Sequence, residues 1–149
     1  AALPVSVEKV DEAGLKELRE NKSEKVRLVN FWATWCAPCV VEFPDFVTIA
    51  RMYRTRPFEF VSVSLDKPED QEKVLAFLKK QQAANRNLIF ASDDRDKLIN
   101  AFDEEWCGAV LFTGLIAPGG KIAYQEMDSV DMLALRRAIM KELNAIHPW

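Results

Sequence analysis

Two cysteines that follow a largely apolar run constrain the fold more than any other feature of this sequence. The run from Val26 to Trp32 predicts a buried strand, and Cys36 and Cys39 then open a predicted helix. Residues three apart on a helix share one face with Cα atoms about 5 Å apart, and a disulfide tolerates roughly 4.4–6.8 Å. The sequence therefore predicts a strand–turn–helix unit in which the two thiols form and break a bond with little backbone movement.

The position of Cys36 also predicts its reactivity. Unpaired N–H groups and the helix dipole favour negative charge at the start of a helix, which lowers a thiol pKa from about 8.5 toward or below neutrality. Pro38 is compatible with this start because the first helical turn has no amide bond to lose. The alternative is that Cys36 and Cys39 form half of a zinc site. The remaining candidate ligands in the sequence are Cys107 and His147, and the spacing between them is not that of zinc ligands.

The motif extends beyond the cysteines in both directions. It reads Val29-Asn30-Phe31-Trp32-Ala33-Thr34-Trp35-Cys36-Ala37-Pro38-Cys39-Val40-Val41-Glu42-Phe43-Pro44. This pattern, WCxPC followed by xxExP, resembles the active-site segment of the thioredoxin superfamily, and within it the TlpA/ResA-like branch of extracytoplasmic thiol–disulfide reductases. The resemblance implies an α/β class and a thioredoxin fold, with a central mixed β-sheet flanked by helices and an N-terminal strand–helix extension.

The resemblance also implies roles for the residues of this segment. Cys36 is the expected nucleophile, which forms a mixed disulfide with a substrate, and Cys39 is the thiol that resolves it. Trp35, Ala37 and Pro38 are expected to contact the substrate beside the nucleophile. The redox-active Cys36–Cys39 disulfide is the only expected redox group, with no further cofactor and no metal.

Glu42 is the expected acid–base partner of the resolving thiol. It lies three residues after Cys39, so helical spacing predicts that both side chains share a face. A carboxylate near a buried thiol is expected to have a raised pKa and to take the proton of that thiol. The alternative is a solvated helix glutamate, which is the commoner environment for this residue type. Asn30 stands where thioredoxin itself has a buried acid.

The sequence departs from the family in the loop expected to face the dithiol. Gly108-Ala109-Val110-Leu111-Phe112-Thr113 aligns with a segment in which family members carry a cis-proline, and Leu111 takes the proline position. A cis bond before a non-proline residue costs about 2.5–4 kcal/mol, so a trans peptide and a reshaped loop are predicted. Val110 and Leu111 are the expected backbone contacts for substrate. The hypothesis is that Leu111 slows the release of mixed disulfides or leaves the dithiol more open to metal. Leu111→Pro is expected to restore ordinary turnover.

The rest of the chain predicts alternating strands and helices in a single domain, residues 1–149. A Pro118-Gly119-Gly120 turn is expected to join the last two strands. The expected order is a strand over 3–10, a helix over 11–21 capped by Asp11, the strand 26–32, a helix over 36–53 bent at Pro44, a strand over 58–65, a helix to 82, a strand over 88–90, a helix over 92–102, strands over 110–117 and 121–125, and a last helix starting at 127–129.

Composition limits the partners. A net charge of −3 gives no reason to expect nucleic acid or an anionic membrane surface, and no apolar run approaches the roughly 20 residues that span a bilayer. The first residue is not methionine, so a cleaved or omitted targeting segment or anchor is expected. The resemblance implies a monomer, periplasmic or otherwise extracytoplasmic, that acts on protein disulfides and receives electrons from a membrane or soluble dithiol donor.

Three rival functions remain open at this point. A thioredoxin-fold metal chaperone needs a histidine near the dithiol, and His147 in the tail argues against it. A peroxidase of the superfamily needs a different spacing before its cysteine. A variant that traps partners and turns over slowly follows from Leu111. Cys107 is interpreted as an idle buried thiol or an alternative disulfide partner, and His147 as part of a frayed terminus.

Overall fold

A computed structural model describes residues 4–102 and 110–146. Its strands and helices follow the alternation that the hydrophobic pattern predicts, with one short 3₁₀ turn at Pro68–Asp70. The elements are β1 (Glu8–Val10), α1 (Glu12–Glu20), β2 (Val26–Trp32), α2 (Ala37–Met52), β3 (Phe58–Ser64), α3 (Gln71–Lys80), β4 (Arg86–Phe90), α4 (Arg95–Phe102), β5 (Phe112–Ile116), β6 (Ile122–Glu126) and α5 (Met132–Ile146).

The strands form one mixed sheet in the order β1-β4-β3-β2-β5-β6. Strands β1 to β4 are parallel where they pair, while β5 runs antiparallel to β2 and β6 antiparallel to β5. The register of the two central strands pairs Trp32 with Ser64, so β2 and β3 end at the same edge of the sheet. The segments that follow these strands therefore begin side by side, at the carboxyl edge where open α/β sheets place their sites.

Helices cover both faces of the sheet, as the predicted α/β class requires. Successive side chains of a strand point to opposite faces, so Leu28 and Trp32 of β2 pack on one side and Val29 and Phe31 on the other. Helices α2, α3 and α5 contribute to the core on the Trp32 side, and α1 and α4 to the core on the Phe31 side. The predicted fold class is confirmed.

Several predicted boundaries were wrong by a few residues. Strand β1 covers three residues rather than eight, and the last helix begins at Met132 rather than near Met127. The residue that starts this helix is Asp131, whose Oδ1 accepts the N–H groups of Leu133 and Ala134 at 3.0 and 3.1 Å. Asp128 instead makes a local bond to the N–H of Ser129.

Helix α1 begins as the sequence predicts. The side chain of Asp11 accepts the N–H of Gly14 at 2.8 Å, and Leu15 and Leu18 are buried. The end of α1 is tied to β2 by the buried Arg27. Its guanidinium donates to the carbonyl of Leu18 at 3.1 Å and pairs with Glu59 at 2.9 Å.

Candidate active site

The two cysteines form a disulfide at the amino end of α2, with their Cα atoms 5.3 Å apart. Cys36 is the N-cap residue of this helix and has extended backbone angles. Its N–H donates to the carbonyl of Ala33 at 3.1 Å, which closes a tight turn, and its own carbonyl accepts the N–H of Val40. Cys36 therefore lies at the predicted helix tip, one turn before Cys39.

The two sulfur-bearing residues differ in exposure. Cys36 is 7% exposed and Cys39 is 1% exposed, so Cys36 is the more accessible of the pair. Trp35 is 58% exposed, and Ala37 and Pro38 are exposed as well, which surrounds the disulfide with accessible apolar side chains. This rim consists of the three residues of α2 and its turn that were predicted to contact substrate.

Trp32 belongs to the core instead. It is fully buried, with its ring centroid 4.8 Å from that of Phe43 and 5.0 Å from that of Phe77. These aromatic contacts connect the end of β2 to α2 and α3. The two tryptophans of the motif therefore have different environments, one packed behind the disulfide and the other beside it in solvent.

Glu42 is buried, which excludes the solvated alternative. It is 8% exposed, and its Oε2 accepts the N–H of Val130 at 2.7 Å. Its Oε1 is buried and has no hydrogen-bond partner within the described part of the chain. Desolvation raises the pKa of Glu42 above 4.5, the nearby charges of Asp45 and Asp128 add to the increase, and the Val130 bond opposes it. No local sequence signal points to Val130, which lies 88 residues from Glu42 along the chain.

A second buried carboxylate, Asp66, holds the turn that leads into Cys36. Its Oδ2 accepts the N–H of Thr34 at 2.9 Å, and its Oδ1 accepts the hydroxyl of Thr34. Ser64 donates its hydroxyl to Oδ2 at 2.7 Å. The sequence pattern did not mark Asp66 as a residue of the site. The one available signal was a polar residue just beyond the end of a buried strand, at the edge where the cysteines also lie.

Asn30 places a neutral side chain at the buried position where thioredoxin itself has an acid. It is 1% exposed, and its Nδ2 donates to the hydroxyl of Thr113 at 3.1 Å. In the sheet register Asn30 pairs with Thr113 on one side and Ser62 on the other. The hydroxyl of Ser62 in turn donates to Asn87 at 2.7 Å. A row of neutral polar side chains therefore crosses four strands at this level.

Leu111 lies in the same buried cluster as the two cysteines, and Val110 packs against that cluster. The peptide bond before Leu111 is trans, as predicted, and Leu111 has a left-handed φ of 68°. Its N–H donates to the carbonyl of Phe31 at 3.1 Å. Proline has φ near −65° and no N–H, so the expectation that Leu111→Pro simply restores an ordinary site does not fit this backbone. Residues 103–109, with Cys107, lie outside the described residues, as does His147.

No group of three or more His, Cys, Asp or Glu side chains is arranged to hold a metal ion in residues 4–102 and 110–146. Within the same ranges, no helix has both the length and the apolarity that crossing a bilayer requires.

Comparison with known proteins gives one family and several named relatives. The Redoxin family model matches residues 6–131. The thiol-disulfide oxidoreductase ResA of Bacillus subtilis is 31% identical over 106 residues, which are 71% of this chain and 54% of that protein. The thiol:disulfide interchange protein HelX of Rhodobacter capsulatus is 65% identical over 23 residues, 15% of this chain and 13% of that protein. The chain thus spans about half the length of ResA and a smaller share of the length of HelX.

Solved structures give the same architecture. A thiol:disulfide interchange protein of the thioredoxin family from Chlorobium tepidum has a TM-score of 0.66 at 24% identity, covering 85% of this chain and 83% of that one. StoA from Bacillus subtilis has a TM-score of 0.62 at 18% identity, covering 78% and 83%. At these identities the likeness shows the fold, and the predicted thioredoxin fold is confirmed.

Proposed function

Because the chain belongs to the Redoxin family, which agrees with the predicted kinship to the thioredoxin superfamily, we propose that it is a thiol–disulfide oxidoreductase acting on protein disulfides. The observation that carries this proposal is the Cys36–Cys39 disulfide at the N-terminus of α2. Relatives named thiol-disulfide oxidoreductase and thiol:disulfide interchange protein support it.

The reaction proceeds through two thiol–disulfide exchanges. In the reduced protein, the Cys36 thiolate attacks one sulfur of a substrate disulfide, a bond forms between these sulfurs, and the second substrate sulfur leaves as a thiolate. The Cys39 thiolate then attacks the Cys36 sulfur, the bond between Cys36 and the substrate breaks, and the first substrate sulfur also leaves as a thiolate. Two electrons reach the substrate, and the Cys36–Cys39 disulfide is the product. A dithiol donor resets the pair.

The exposures support this order of attack. Cys36 is the more accessible cysteine and has the exposed rim of Trp35 and Pro38 beside it, while Cys39 is almost completely buried. An incoming disulfide therefore meets Cys36 first. The helix N-terminus favours the thiolate at Cys36, and it offers no comparable help to Cys39 one turn further in.

Glu42 is the proposed proton acceptor for Cys39. One carboxylate oxygen is fixed by Val130 and the other has no partner among the described residues, so one oxygen is available for a proton. Burial raises the pKa of Glu42, which brings it closer to that of a thiol and makes proton transfer less unfavourable. Replacing Glu42 with Gln and titrating both thiols tests this role. Unchanged pKa values for Cys36 and Cys39 would rule it out.

The proposed direction is reduction of substrates, in an extracytoplasmic compartment. Its test is the reduction potential of the dithiol measured against glutathione. A potential well below that of the glutathione couple supports a reductant, whereas a value near −120 mV, at the oxidant end of the known range, contradicts it.

Cysteine variants test the chemistry directly. Cys39→Ser is expected to accumulate a mixed disulfide between Cys36 and a reducible protein such as insulin, while Cys36→Ser is expected to form none and to lose insulin reduction. Cys107→Ser is the matched control and is expected to form the mixed disulfide and to reduce insulin as the wild type does. Reduction that persists in Cys36→Ser would overturn the proposal. A wild-type mixed disulfide that persists would instead support the partner-trapping alternative, which follows from leucine at the position of the family's cis-proline.

A further inference from the structure

Asp66 is a buried carboxylate with an unusual set of partners. It is 2% exposed and follows β3 at the edge where β2 also ends. Within the described residues, its carboxylate accepts hydrogen bonds from three neutral donors: the N–H and hydroxyl of Thr34 and the hydroxyl of Ser64. The N–H of Asp66 also donates to Ser64 at 3.0 Å, so Ser64 and Asp66 form a closed pair that fixes the carboxylate.

We propose that Asp66 is a positioning residue for Cys36, because it clamps the Thr34–Trp35 turn and so sets where the sulfur of Cys36 lies at the tip of α2. This inference rests on the proposed function and assigns that site a residue from a different strand. The Asp66 clamp, as we call the set Thr34, Ser64 and Asp66, holds the turn from the sheet and not from the helix that carries the thiols.

The geometry of the turn explains why holding Thr34 matters. The turn is closed by the N–H of Cys36 on the carbonyl of Ala33, which leaves Thr34 and Trp35 as its two central residues. Asp66 grips Thr34 by both its backbone N–H and its side chain. Since Trp35 is largely exposed, the turn is held to the protein interior through the contacts of Thr34 with Asp66. With the turn anchored, the direction in which the chain enters α2 is fixed.

The chemistry of the clamp requires a carboxylate. Three donors converge on two oxygens, and a carboxylate accepts all of them, whereas an amide would turn an NH₂ group toward one donor. A displacement of about 1 Å at a reacting group can reduce a rate on the order of a hundredfold. The thiolate also gains from the helix N–H groups only while the sulfur stays beside them, within the first turn.

The decisive variants alter Thr34 and keep the charge of Asp66. Thr34→Val removes the hydroxyl with little change of shape, and Thr34→Ser keeps both donors. In the reduced protein, the pH dependence of Cys36 alkylation, resolved by peptide mass spectrometry, reports the thiol pKa. For Thr34→Val we expect that pKa to rise by about one unit and the alkylation rate at neutral pH to fall several-fold, because less of the thiol is then ionised. Thr34→Ser is expected to keep the wild-type profile.

Ser62→Ala is the matched control for general loosening. Ser62 is fully buried on the same strand as Ser64 and donates a 2.7 Å hydrogen bond to Asn87, away from the turn. Its loss is expected to lower stability while leaving the alkylation profile of Cys36 unchanged. Asp66→Asn is expected to lower the rate of mixed-disulfide formation, and thermal unfolding shows whether that variant remains folded.

The outcomes separate this inference from the proposed function. If folded Thr34→Val keeps the wild-type profile, or if Ser62→Ala shifts the profile equally, the clamp is overturned while the proposed function stands. If wild-type Cys36 is alkylated no faster than a cysteine in an unfolded peptide, both are overturned. If the variants behave as expected but the protein reduces no protein disulfide, the clamp is supported and the proposed function fails.

Discussion

Replacing Glu42 with Gln tests whether this buried carboxylate resists ionisation. The side chain is 8% exposed, with one oxygen bound to Val130 and the other without a partner in the described part of the chain. The amide of Gln can keep the Val130 bond through its oxygen and carries no charge at any pH of interest. Comparing the two proteins across pH therefore isolates the cost of charging Glu42 in the folded state.

The sign of the effect follows from the direction of the pKa shift. Burial raises the pKa of Glu42 in the folded protein above 4.5, its value in an unfolded chain. The folded state therefore binds this proton more tightly, and the stabilisation is fully present below pH 4.5 and is lost as pH rises through the raised pKa. The wild type should lose stability relative to Glu42→Gln between about pH 4 and pH 8.

The magnitude follows from the same contacts. Each unit of pKa increase corresponds to about 1.4 kcal/mol, and leaving a buried acceptor without a partner costs about 1–3 kcal/mol. We expect the difference in unfolding free energy between Glu42→Gln and wild type to grow by about 1–3 kcal/mol across this pH range. Tyr124 does not titrate in this range, because burial raises its pKa above 10.

Urea unfolding of the oxidised proteins at several pH values measures this difference. Glu72→Gln, which changes an exposed glutamate on α3, is the matched control and should show no such trend. A difference between Glu42→Gln and wild type that stays constant from pH 4 to pH 8 would refute the reasoning, because Glu42 would then ionise as freely as it does in an unfolded chain.

Three further substitutions test other parts of the site by urea unfolding. Leu111→Pro removes the hydrogen bond from the Leu111 N–H to Phe31 and is incompatible with the left-handed φ. We therefore expect the free energy of unfolding to fall by about 2–4 kcal/mol. Wild-type stability would mean that the loop rebuilds around proline. Asn30→Asp places a carboxylate at a 1% exposed position. We expect the free energy of unfolding to fall by at least about 2 kcal/mol above pH 5, where the carboxylate must be charged or take up a proton, and by less at pH 4. A loss of stability that does not depend on pH would contradict this. Arg27→Met leaves Glu59 without its ion-pair partner, and we expect the free energy of unfolding to fall by about 3 kcal/mol. The alkylation of Cys36 is expected to stay unchanged. Altered alkylation would contradict a purely structural role for Arg27.

The parts of the fold that could be predicted depend on local sequence. Asp11 predicts the start of α1 because the capping side chain and the N–H that it binds are three residues apart. Cys36 and Cys39 predict a disulfide for the same reason, since helical spacing alone brings them within reach. Local signals fail where two of them compete. Asp128 and Asp131 both accept nearby N–H groups, and only Asp131 begins the helix.

The contacts that complete the site depend on tertiary structure. Glu42 meets Val130 across 88 residues of sequence, and Asp66 meets Thr34 across 32. Each of these contacts requires a helix or strand end to meet a loop whose path the sheet order determines. A residue pattern indicates that a glutamate or an aspartate is present, but not which donors reach it. The motif therefore predicts the thiols, while their buried carboxylates gain a definite role only from the folded chain.

The two carboxylates near the dithiol differ in the number of donors that they accept, and this difference separates their roles. Both oxygens of Asp66 already accept hydrogen bonds from Thr34 and Ser64, so a proton added to either oxygen weakens a contact that holds the turn. Glu42 has one engaged oxygen and one without a described partner. A proton added to that second oxygen of Glu42 breaks no hydrogen bond within the described part of the chain. In the proposed mechanism, positioning the turn and accepting the proton therefore belong to different residues, because protonation of Asp66 would weaken the contacts that hold Thr34, whereas protonation of Glu42 would not.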